Sequence, residues 1–82
     1  MPSDPIEIDR ARDRLAELSA LHRAAQARAA HPPRLEPEDW RGPAFEAYAW
    51  WADELAARMR DAAEELGRAV VAARVELSRA LG

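Results

Sequence analysis

Two proline-marked breaks constrain this chain more than any other feature. Pro32-Pro33 ends one amphipathic stretch, and Gly42-Pro43 opens a second, longer one. Proline lacks an amide hydrogen and restricts the residue before it, so a helix reaching residue 31 stops there. At the first helical position the same residue is well tolerated, and a preceding glycine is a permissive cap. The chain therefore reads as two helices and a bend. The first helix spans 5–30, the bend 31–42 and the second helix 43–81.

The local signals agree with this division. Asp4 can accept hydrogen bonds from free amides, Pro5 fits the first turn, and Glu7 favours the positive end of the helix dipole. The first helix carries apolar or small residues at Ile8, Ala11, Leu15, Leu18, His22, Ala25 and Ala29. The steps alternate between three and four, as for a helix that buries one stripe, and Leu21 broadens it. The second helix repeats the pattern at Phe45, Tyr48, Ala52, Leu55, Met59, Ala62, Leu66, Val70, Ala73, Leu77 and Ala80 or Leu81. Asp53, Glu54, Arg58, Arg60, Asp61, Glu64, Glu65 and Arg68 take the other side, and only Gly67 interrupts.

At 1.5 Å per residue the helices are roughly 39 and 58 Å long. If a tight bend pairs them antiparallel, His22 falls near Ala52 and Leu55, and Ala69–Leu81 overhangs. Two helices alone leave much of each stripe in water. A chain of 82 residues has little core of its own and no cysteine to staple it. The expected architecture is all-α: an antiparallel hairpin that dimerises into a four-helix bundle. Leu15, Leu18, Leu21, Phe45, Tyr48, Trp51, Leu55, Met59, Leu66, Val70 and Leu77 would form the partner interface.

Several function classes are disfavoured. Net charge is −3, with signs interspersed, and all twelve basic residues are arginine. No basic cluster tracks a phosphate backbone, so nucleic-acid binding is not expected. No helical histidine pair, Glu-x-x-His, glycine-rich phosphate loop or serine elbow is present, so neither catalysis nor a metal or cofactor is expected. The Glu64-Glu65 pair reads as a solvated face. The polar start, Met1-Pro2-Ser3-Asp4-Pro5, lacks the apolar region of a secretory signal peptide. No stretch approaches the ~18 apolar residues of a membrane span.

Trp40-Arg41-Gly42 stands at the bend, followed by Pro43-Ala44-Phe45-Glu46-Ala47-Tyr48. A Trp-x-Gly between two helices in a chain this short resembles the WXG100 (ESAT-6-like) family of type VII secretion proteins. An indole there can plug the end of a core, and the glycine permits a close approach or a positive φ. The resemblance spans essentially the whole chain. It implies a hairpin that pairs with itself or with a homologous hairpin. Such a protein is held in the cytoplasm before export as a type VII substrate, or it accompanies a larger toxin-like one. Trp40 and Gly42 would then be half of an export signal. The other half in that family, a C-terminal Tyr-x-x-x-Asp/Glu, is lacking: Tyr48 is followed four residues on by Ala52. Either a partner supplies it, or the protein is a non-secreted adaptor that covers the helical region of a client.

Six further residues stand out. Trp50 and Trp51 lie about 100° apart on a helix, Trp51 flanking the stripe and Trp50 facing the charged side. Val71 and Val75, one turn apart off the stripe, are either a second contact face or isolated surface residues. His22 reads as a packed core histidine and His31 as a bend residue.

Overall fold

A computed structural model describes residues 4–32 and 42–82, and its described residues form two long helices with no strand. The first, α1, runs Pro5–Ala30, and the second, α2, runs Pro43–Leu81. They pack against each other along a rod of 65 × 13 × 13 Å between Cα extremes. The Trp-x-Gly bend falls largely outside the described residues, since of its three positions only Gly42 is included.

Each helix start has a local cause. The Asp4 side chain accepts from the Ile6 and Glu7 amides at 2.8 and 3.0 Å, satisfying two donors that no helical carbonyl can reach. Asp4→Ala should therefore cost about 1 kcal/mol, read as a lower midpoint in urea with an unchanged slope. α2 starts without a side-chain cap: Gly42 has φ 75° and Pro43 follows at the first turn. A Cβ on Gly42 would meet nothing within 4 Å, so glycine serves this position through its backbone freedom and not through a close approach. At the other ends the amides of His31 and Gly82 close back onto the carbonyls of Arg28 and Arg79.

Two contacts fix the pairing. The His22 ring lies against Gly67, its Nε2 3.1 Å from where a Cβ would stand. Arg14 donates to Glu76 at 2.9 Å. Stepping back eight residues along α1 advances nine along α2, so the helices are antiparallel. Ala30 is then level with Met59, and the free end of α1 with the carboxyl end of α2. This corrects the expected register: His22 packs on Gly67 and not near Ala52 and Leu55. The overhang is the start of α2, Pro43–Arg58, about 24 Å long, and not Ala69–Leu81. The expectation took the bend as tight. Twelve residues, however, reach up to about 40 Å, ample to join Ala30 to a helix that begins four turns beyond it.

The core is thin. Ala63, Val70 and Ala73 are buried, all on α2, and α1 buries no residue fully. Every α1 stripe position from Ile8 to Ala29 is half-buried. On α2 the stripe passes through Ala63, while Ala62 is exposed. Close approach at Gly67 turns α2 so that the 63, 67 and 70 edge meets α1, and residue 62 rotates away.

Candidate interaction surface

The overhang holds four of the five aromatic residues of the chain, Phe45, Tyr48, Trp50 and Trp51. α1 ends before reaching them, so none of the four can seal the seam with α1. Trp51 is 50% exposed, and its ring stands 5.7 Å from that of Tyr48, tilted 45°. Trp50 is 68% exposed. Phe45, Tyr48 and Leu55 are half-buried and continue the α2 stripe beyond the end of α1. Exposed indoles carry large rigid apolar area at low entropic cost, which makes them frequent anchors at protein contacts.

Along the paired part of the rod, Leu15 and Leu18 on α1 and Met59, Leu66 and Leu77 on α2 are half-buried, and Val70 is buried. Leu21 points away from α2 and is 51% exposed. Val71 and Val75 are exposed as well, on the stretch of α2 that runs level with α1, since the overhang is at the opposite end. In the sequence Ala63 lies off the spaced stripe, and Gly67 reads only as an interruption. The signal available was a helix-interior glycine beside the stripe, which is a mark of close helix approach.

Among the described residues no group of three or more His, Asp or Glu is placed to hold a metal, and no described helix is long and apolar enough to cross a membrane. An open cleft of about 330 Å³ lies between the free ends of the helices, lined by Arg10, Arg14, Glu76 and Arg79 among others. Its charges are of both signs, and the Arg14–Glu76 pair within it is more than half exposed on each side. Such a pair contributes about 0–1 kcal/mol.

The fold and surface together define an elongated helical hairpin whose apolar stripe outruns its own partner helix. No protein-family model matches the chain, and no curated protein or solved structure is significantly similar to it.

Proposed function

We propose that this chain is a WXG100-like interaction protein. It acts paired with a second helical hairpin, of its own kind or homologous, and engages a type VII secretion system as a substrate or as the partner of a larger toxin-like substrate. The observation that carries the pairing is the half-covered stripe: two long helices with only Ala63, Val70 and Ala73 buried among the described residues. A hairpin stabilised so sparsely gains from a second one laid over the open seam. The secretion part rests on Trp40-Arg41-Gly42 at the junction of two helices.

The test is expression in a host with an active type VII system, comparing the chain with its Trp40→Ala variant in culture supernatant. Export of the parent without lysis markers, lost at least tenfold in the variant with helicity unchanged, is the expected result. A chain that stays in the cells bound to a client would replace this reading with that of a cytoplasmic adaptor.

A further inference from the structure

Val71 and Val75 stand one turn apart on α2, outside the stripe that packs on α1, and both are exposed. On a helix surface the true neighbours lie three and four residues away. For these two valines they are Gly67, Arg68, Ala72, Arg74, Ser78 and Arg79, with no acid among them. The ion pair among the described residues joins Arg14 to Glu76, and Arg68 and Arg74 take no part in it.

The register adds α1 to this surface. A residue that follows a stripe position is turned about 100° from it. In an antiparallel pair these turns lead to the same side of the seam. Arg12 and Arg23 follow Ala11 and His22 on α1, as Val71 and Arg74 follow Val70 and Ala73 on α2. Residues that precede the stripe mark the other side, and there Arg10 and Arg14 do share a cleft with Glu76 and Arg79. From Arg12 to Arg23, about 17 Å along the rod, the valine side carries Arg12, Arg23 and Arg74, with Arg68 at its edge. All four are exposed. Of the acids in that stretch, Asp13 points away from α2, and Glu17 and Glu76 fall on the cleft side. Asp9 and Glu64, the nearest acids on the valine side, lie beyond its two ends.

We propose that this side of the hairpin is a docking surface for an acidic amphipathic helix of a different protein. The apolar stripe of that helix sits on Val71 and Val75, and its carboxylates meet the surrounding arginines. Complementary charge selects an acidic partner, and guanidinium–carboxylate contacts are the strong form of such pairing. A row of side chains at four-residue spacing fits the groove of another helix, which favours a helical occupant over an extended one. A second copy brought onto the same side by a two-fold axis would set arginines against arginines, so the charge argues against this chain as the occupant. The surface lies outside the half-covered stripe, and the inference does not depend on the hairpin being paired or exported.

The test uses the full chain and a fluorescent synthetic helix with leucine at every third or fourth position and glutamate and alanine elsewhere. Anisotropy at low salt should show this peptide binding, and a counterpart with lysine for glutamate should bind at least tenfold more weakly. Val71→Asp should weaken binding of the acidic peptide at least tenfold, and so should Arg23→Glu with Arg74→Glu. Arg10→Glu, on the cleft side, should leave it unchanged. Val71, Arg23 and Arg74 are all exposed, so helicity by circular dichroism should hold in every variant. If the double reversal lowers it, Arg74→Gln gives the same reading with a smaller shift. Failure of the acidic peptide to bind at near-millimolar concentration overturns the proposal, as does binding indifferent to Val71→Asp and to charge reversal. Tighter binding of duplex DNA or of phosphatidylserine vesicles overturns the choice of a helix as occupant. Self-association that Val71→Asp abolishes would make the occupant a second copy. Hairpin pairing or export that fails in the parent chain, with the peptide still bound on this side, sinks the functional reading and leaves the docking surface standing.

Discussion

Val70→Asp should abolish the folded hairpin, while the same change at the next residue, Val71→Asp, should pass almost unnoticed. Val70 is 4% exposed and faces α1, whereas Val71 is 57% exposed and faces solvent. A carboxylate at 70 would stand uncompensated between apolar neighbours, a situation that costs about 3–5 kcal/mol. The buried valine it replaces contributes about 1.5–3 kcal/mol of its own. Small domains hold only about 5 kcal/mol or a little more in reserve, so the loss exceeds what the hairpin can absorb. At 71 the change should stay within about 0.5 kcal/mol, as for most surface positions. Thermal melts followed at 222 nm read both. A cooperative melt near the parental midpoint for Val70→Asp would overturn the face assigned to α2.

Gly67→Leu is the second large effect, and its sign depends on His22. In the parent chain His22 Nε2 lies 3.1 Å from where a Cβ at 67 would stand. A branched side chain there must displace the ring and separate the helices, at a cost of about 1–3 kcal/mol. Glycine in a helix interior is itself about 1 kcal/mol worse than most replacements. With the ring removed in His22→Ala, Gly67→Leu should turn neutral or stabilising. The coupling between the two sites should therefore reach about 2 kcal/mol, within the range for residues in direct contact. Urea unfolding of the four chains of the cycle gives the value, and additive effects would show that the ring and the glycine do not meet.

This pair also marks where the sequence stops being readable. The limits of α1 and α2 rest on chemistry local to a few residues: the Asp4 cap, the Pro32-Pro33 stop and the Gly42-Pro43 start. A three-four spacing likewise identifies one face of α1, and each of its seven stripe positions is half-buried. Which α2 residue sits opposite which α1 residue is not local. It depends on the path available to a proline-rich connection and on one ring finding one glycine far along the chain. A tight bend puts the overhang at the carboxyl end of α2, whereas the structure puts it at the start. Trp51, which flanks the stripe, therefore lies beyond the end of α1. The Ala62 and Ala63 positions differ for a related reason, since a rotation of α2 set at Gly67 decides between two alanines that periodicity alone ranks equally.

The extended shape has a practical consequence for anyone weighing this protein by size. Its radius of gyration is 19.3 Å, a value that an ordinary globular domain reaches only at about 300 residues. Chromatography that sorts by hydrodynamic volume would place a single copy among proteins several times heavier. An early-eluting peak is therefore the signature of a thin rod before it is the signature of association, and stoichiometry must come from methods that respond to mass.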